Sequence, residues 1–245
     1  MKIIADTNIW YYLGQNSKLF KNVKNEPICP TFANIYELSK SDNILNNEKL
    51  SRKAIQKLFS FKSNVIYEPP FIYLAQLHKD LEFDPIEKIG GWLEFTEKFA
   101  KGHAIEPSKR NDFKKEIDLI RDDLNSGANF FNEEAEKIRE RIKNKKDHKQ
   151  KDTHQLTGSF LNYIVETITD KQFNLENLDL NQIELLVRTL DHFFQTLETS
   201  NMKIKDNDWF DFSILAYVQP GDKYWTNDEK WIRLIEAAGC EKYLF

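Results

Sequence analysis

The chain opens with an apolar run, Ile3-Ile4-Ala5, that stops at a carboxylate, Asp6. Strands buried on both faces carry continuous rather than alternating apolar residues, so this run reads as a short parallel strand. In open α/β sheets, ligands bind at the C-terminal edge of such strands. Thr7 and Asn8 follow and suit a helix start. The next stretch, Ile9 to Leu13 (IWYYL), supplies an apolar helix face. The opening therefore calls for a parallel sheet with Asp6 on its rim. Asp6 becomes the first candidate ligand of a carboxylate site on which later acids converge.

The rest of the chain repeats this alternation at its two ends. Glu26 to Pro30 reads as a very short strand or a turn. Thr31 caps a helix over Phe32 to Ser39, with Phe32, Ile35 and Tyr36 on one face and Glu37 and Lys40 as polar interruptions. Ser51 to Phe61 is an amphipathic helix. Asn64 to Tyr67 reads as a strand stopped by Pro69 and Pro70, and a helix runs from Phe71 to about Lys79. Near the other end, a helix spans Asp208 to Tyr217 and a strand Lys223 to Thr226. A further helix covers Glu229 to Ala238 and closes at Gly239, and Lys242 to Phe245 reads as a last short strand. The middle is different. After a turn at Gly90-Gly91 it shows only helical periodicity, over Trp92 to Lys101, Asn111 to Leu124, Asn129 to Lys146, Thr157 to Ile168 and Asn181 to Thr199. The expected fold class is α/β, a parallel sheet flanked by helices with an all-helical insertion. Residues 1–80 and 204–245 form a discontinuous domain around an insertion over 81–203.

Composition agrees with a helix-rich core: 40% of residues are hydrophobic, while glycine (8) and proline (7) are few. A net charge of −4 gives no overall electrostatic case for nucleic acid, so any such case must be local. Only Cys29 and Cys240 occur, in no metal-binding pattern, which points to unpaired thiols in a reducing cytoplasm. Neither a secretory leader nor an apolar run of about 18 residues is present, so no membrane partner is expected.

Four acids sit where solubility alone does not explain a carboxylate. Asp6 ends the first strand and Glu37 interrupts an apolar helix face. Asp211 lies in the first turn of a helix before Phe212-Ser213-Ile214-Leu215-Ala216. Asp228 ends a strand in Thr226-Asn227-Asp228. Each has a plain reading as well. Asp6 and Asp228 suit turns or N-caps, Asp211 favours the helix dipole, and Glu37 sits one turn from Lys40. In a parallel sheet, however, all four fall on one rim, where like charges raise one another's pKa. Divalent cations resolve that repulsion. An oxygen-only donor set without His or Cys favours Mg²⁺ or Mn²⁺ over Zn²⁺, the chemistry of metal-assisted phosphodiester hydrolysis.

This ordered set resembles the PIN-domain nuclease family. Ile3-Ile4-Ala5-Asp6-Thr7-Asn8 matches the family's opening strand and acid, and Thr31 to Glu37-Leu38 resembles its second acid on an early helix. Asp211 to Ala216 matches the third acid and its helix, and Thr226-Asn227-Asp228 the fourth. Gly239 to Phe245 is similar to the short last strand. The resemblance covers about residues 1–80 and 204–245. It implies an endoribonuclease acting on single-stranded RNA, with Asp6, Glu37, Asp211 and Asp228 holding Mg²⁺ or Mn²⁺, and with Asn8 and Thr226 steadying the ligands or the phosphate. Many bacterial relatives are toxins paired with an antitoxin, and many form homodimers. This chain departs from the pattern in the length of its insertion and in an extra acid, Asp208, one turn before Asp211. Asp211 ranks first as third ligand, with Asp208 kept as an additional one.

Other features have rival readings. The basic run Lys137 to Lys151 can contact a phosphate backbone or be a solvated helix end. His148 and His154 lie near it without metal-ligand spacing. Trp10, Trp209, Trp225 and Trp231 lie close in sequence to the acids, and Trp209 is the candidate for stacking on an RNA base. Two alternatives to an endoribonuclease stand: a PIN-like binding module without catalysis, and a structure-specific or DNA-directed nuclease.

Overall fold

The computed structural model describes residues 1–77, 86–144, 153–168 and 179–245. The molecule is mostly helical around a small parallel sheet of three strands, β1 (Ile3–Ala5), β2 (Ile28–Cys29) and β3 (Lys223–Trp225), in the order β2-β1-β3. Ile4 pairs with Cys29 on one side and Tyr224 on the other. The strand read from the first residues is thus the central one. It is fully buried, because every side chain on it meets a helix layer. Ile3 and Ala5 point into one hydrophobic core and Ile4 into the other, as the two-residue period of a strand requires.

The first core gathers helices α1 (Thr7–Gln15), α2 (Ser17–Val23), α3 (Phe32–Lys40), α4 (Asn43–Asn46) and α5 (Glu48–Phe59). Ile9, Trp10 and Leu13 of α1 are fully buried there, each contributing about 1.5–3 kcal/mol of burial free energy. Helix α1 lies so close to α5 that a Cβ on Gly14 would stand 2.9 Å from the Ala54 backbone nitrogen, so only glycine permits this approach. The second core is built by α10 (Glu184–Thr199), α11 (Asp208–Leu215) and α12 (Glu229–Ala237), together with parts of α6 (Pro70–Gln76), α8 (Arg110–Lys143) and α9 (Thr153–Ile168). Phe193, Phe212 and Trp231 stack and cross at its centre.

Several expectations need correction. Gly90-Gly91 is no turn but lies inside α7 (Ile86–Ala100). The flanking aromatics outweigh roughly 1 kcal/mol of helix propensity per glycine, since Trp92 and Phe95 pack on Phe113 and Phe95 on Phe99. The helices expected over Asn111 to Leu124 and Asn129 to Lys146 are one continuous helix of 34 residues, α8. The helix runs through the expected break, where Gly127 packs against the Trp209 ring and the Ser126 hydroxyl finds its partner in the Asp122 carbonyl. Anchors at both ends hold α8 in place. Arg110 reaches the Leu45 carbonyl and Glu116 pairs with Lys40, while farther along Asn132 bonds the Ile204 backbone and Arg139 the Leu197 carbonyl. Ile117 enters the first core and Ala128 and Ala135 the second, so the segment expected as an insertion contributes to both cores. The expected strands at Asn64 to Tyr67 and Lys242 to Phe245 are reduced to single parallel bridges, Thr31 to Ile66 and Tyr224 to Leu244. Pro69 and Pro70 limit the first. A 3₁₀ turn over Glu241–Tyr243, which buries Tyr243, takes up most of the second.

Among the described residues no helix is long and apolar enough to cross a membrane. Cys29 and Cys240 are both buried and unpaired. The end of the helix expected to reach Lys79, His148 and the basic residues beyond 144 lie outside the described residues, as does the His154 side chain.

Candidate functional site

The carboxylates meet at the C-terminal edge of the sheet. β1 ends at Asp6, which takes an extended conformation (φ −64°, ψ 156°) and turns the chain into α1. Its side chain is buried, 3% exposed. The Thr226 hydroxyl donates to Asp6 Oδ2 at 2.6 Å and the Asn8 amide at 2.8 Å. Thr226 stands just past β3, beside Asp6, because the parallel register sets Ala5 opposite Trp225. Asn8 and Thr226 together hold the first acid in one orientation. Burial pushes the Asp6 carboxyl up to about 6 against these bonds, and the Asp228 charge adds to the rise.

Glu37 comes from α3, whose start is fixed by a capping box between Thr31 and Asn34. The Asn34 amide also donates to the Ala5 carbonyl at 3.0 Å and to Thr7 Oγ1 at 3.2 Å. That buried side chain ties α3 to the end of β1 and so aims the next turn, with Glu37, at the acids. Burial drives Glu37 up to about 8; the Thr7 hydroxyl offsets part of the shift and the Asp6 charge adds to it. The i,i+3 partner considered for Glu37 is engaged elsewhere, since Lys40 pairs with Glu116 at 2.7 Å.

Asp211 arrives on the first turn of α11. It is buried, and its Oδ2 accepts from Trp231 Nε1 at 2.6 Å. Burial raises its pKa well above the usual carboxylate range, and the charges of Asp6, Glu37 and Asp208 raise it further. Asp208 is held differently. Lys230 Nζ pairs with its Oδ1 and the Lys205 N–H donates to its Oδ2. Asp208 thus fastens the start of α11 and has its counter-charge, whereas Asp211 shares its field with Asp6 and Glu37. Asp228 caps α12, accepting from the Lys230 N–H at 2.8 Å, and it is oriented by its own N–H donating to Thr226 Oγ1 at 3.0 Å.

Among the described residues, Asn8 Oδ1 is buried at this edge without a hydrogen-bond partner, and the buried Tyr224 hydroxyl has only Thr226 beside it. Burial and then the charges of Asp6, Asp211 and Glu37 push the Tyr224 phenol well above its ordinary range, so the ring stands in the field of these acids. Such groups are costly unless something polar meets them. Among the described residues, however, no three His, Cys, Asp or Glu side chains stand close enough together to hold a metal ion. The donor set fits a hard divalent cation by chemistry, being oxygen-only and mutually repelling.

Trp209 is placed by packing. Its N–H donates to the Leu124 carbonyl at 3.0 Å, and its ring lies against Phe131, Phe160 and Phe212. The exposed side of this turn is left to Phe210, a residue that nothing in the sequence singles out. Trp10, Trp225 and Trp231 belong to the cores. Lys230 and Tyr224 are equally unmarked in the sequence, because the groups they meet lie far along the chain, 22 residues away for Lys230 and Asp208. Asn34 carries a local signal, the spacing from Thr31 within the capping box.

No family model, no curated protein and no solved structure matches the chain.

Proposed function

We propose that the chain is a PIN-like, Mg²⁺- or Mn²⁺-dependent endoribonuclease that hydrolyses phosphodiester bonds of single-stranded RNA. One observation carries the reading. Asp6, Glu37 and Asp211, from three segments far apart in sequence, are buried or half-buried at the sheet edge; burial raises the pKa of each, the Asp228 charge adds to Asp6, the Asp6 charge adds to Glu37, and the charges of Asp6 and Glu37 add to Asp211. A fold rarely tolerates such unbalanced acids without a use for them. Asp6, Glu37, Asp211 and Asp228 would hold the cation. A bound divalent cation supplies Lewis acidity and a water of lowered pKa. Thr226 and Asn8 orient Asp6, Trp231 orients Asp211, and the Tyr224 hydroxyl offers a donor toward the acids. Asp208, already paired with Lys230, is the supporting acid rather than the third ligand. An antitoxin partner and a homodimer belong to the same proposal by resemblance alone.

A second reading is a binding module without catalysis; the acids of the described residues are not drawn together into a preformed three-ligand group. A cleavage assay separates the two. Purified protein is incubated with single-stranded RNA, duplex DNA and flap DNA in Mg²⁺ or Mn²⁺, beside Asp211→Asn and Asp208→Asn. The proposal expects RNA cleavage, loss of about 10²-fold or more in Asp211→Asn, and a smaller effect in Asp208→Asn. RNA retention without turnover supports the binding module, and cleavage of DNA alone moves the substrate class.

A further inference from the structure

Beside Glu37 lies a cavity of about 240 Å³, walled by α3, the middle of α8 and the start of α11. Glu37 belongs to both places: it shares its field with Asp6 and Asp211, and it lines this cavity. The inner wall is apolar, formed by Ile117, Ile120 and Leu124 of α8. Phe210 stands at the rim, partly exposed, its ring centre 6.2 Å from that of Tyr36. It immediately precedes Asp211 in the chain.

The charges argue against an anion here. Lys40 is held by Glu116 and lies over the Trp92 ring, 3.0 Å from its centre, and Arg121 is held by Asp42. Glu37, Asp42 and Asp206 tip the lining towards acidic. A phosphate would find its cations committed. A flat, uncharged ring with polar edges finds an aromatic face, an apolar wall and Asn207, which is exposed at the start of α11 and whose side chain does not cap that helix.

We infer that this cavity takes the base of an unpaired nucleotide whose phosphate lies at the acids, with Phe210 stacking on the base and Asn207 bonding its edge. The inference rests on the nuclease reading. Because α8 forms the wall, the segment between Glu37 and Asp211 supplies the base preference as well as part of the core.

The test is fluorescence anisotropy with the full wild-type chain in Ca²⁺. This cation takes oxygen ligands but lacks the strict octahedral geometry of Mg²⁺, so it serves to hold the RNA while limiting turnover. The probes are a labelled single-stranded RNA, versions with each position abasic in turn, and DNA of the same sequence. One abasic position should weaken binding about tenfold, the usual size of one aromatic stack. Phe210→Ala should weaken intact RNA to the same extent and abolish the abasic penalty at that position. Phe210→Tyr should restore it; Phe210→Leu, which keeps an apolar contact with Tyr36, should not. An equal Phe210-dependent penalty on DNA supports the base site and corrects only the sugar. Wild-type-like binding by Phe210→Ala, or an abasic penalty that persists in it, overturns the inference while the nuclease reading stands. Failure of the wild type to bind any probe overturns both.

Discussion

Replacing Asp6 by asparagine should make the protein more stable at neutral pH when divalent cations are chelated. Asp6 titrates at about 6 in the folded protein against an ordinary value of 3.8. The folded state therefore binds the Asp6 proton more tightly than the unfolded chain does. Stability is lost as pH rises from about 4 through 6, and the loss is complete above that. The gap corresponds to about 3 kcal/mol for a carboxylate this buried. The amide in Asp6→Asn carries no charge, and its carbonyl oxygen can still accept from both the Thr226 hydroxyl and the Asn8 amide, which share Oδ2. It gives up the second carboxylate oxygen, which weakens acceptance from the Thr7 and Asn8 backbone N–H groups by about 1 kcal/mol. Removing the charge also relieves Glu37 and Asp211, both raised in part by Asp6. The net gain should be about 1–3 kcal/mol at pH 8, or roughly 3–10 °C in Tm for a chain of this length, and close to zero near pH 4. Urea unfolding of both proteins in EDTA across that pH range measures it. A variant that is equally stable or less stable at pH 8, or a difference that does not change with pH, would refute the argument that these acids repel one another in a buried site.

Two further outcomes follow from the way the site is held. Asn34→Ala removes the capping box and the bonds to Ala5 and Thr7 together, so it should cost about 2–3 kcal/mol in chemical unfolding, far more than a cap alone. Glu116→Ala leaves the buried Lys40 ammonium without its carboxylate. Glu116 itself is about half exposed, so the loss should be about 1–2 kcal/mol by the same measurement, and Lys40→Met in that background should recover part of it.

The fold was legible where one short stretch decided it. Ile3-Ile4-Ala5 marked the central strand, Thr31 the cap of α3, and Lys223 to Trp225 the edge strand, because burial or capping leaves a mark within a few residues. It was illegible where distant contacts overrode local chemistry. Gly90-Gly91 and Asn125-Ser126-Gly127 are breakers by composition, yet both lie inside helices that aromatic packing and anchors at distant residues hold straight. The last segment reads as a strand, but Tyr243 turns inward to bond Glu184, leaving one bridge. The acids follow the same division. Their positions at strand ends and helix starts were readable, and so were Asn8 and Thr226 beside Asp6. The residues after Asp211 rank it above Asp208, but the partners that hold the two acids differently, Lys230 on Asp208 and Trp231 on Asp211, leave no trace near either acid. The aromatic at the cavity rim was missed for a similar reason. The sequence favours Trp209 over its neighbour Phe210, and only the contacts of Trp209 with Leu124 and Phe131 of α8 show it held by packing.

The proposed cation site of Asp6, Glu37, Asp211 and Asp228 can be measured without any substrate. The assay is Mn²⁺ titration of the wild-type protein at pH 8, followed by the paramagnetic signal of the free ion. Binding should saturate, be abolished by Asp6→Asn and by Asp211→Asn, and be retained in Asp208→Asn. Undiminished binding in the Asp6 and Asp211 variants, or no binding by the wild type at millimolar Mn²⁺, would contradict the proposed site.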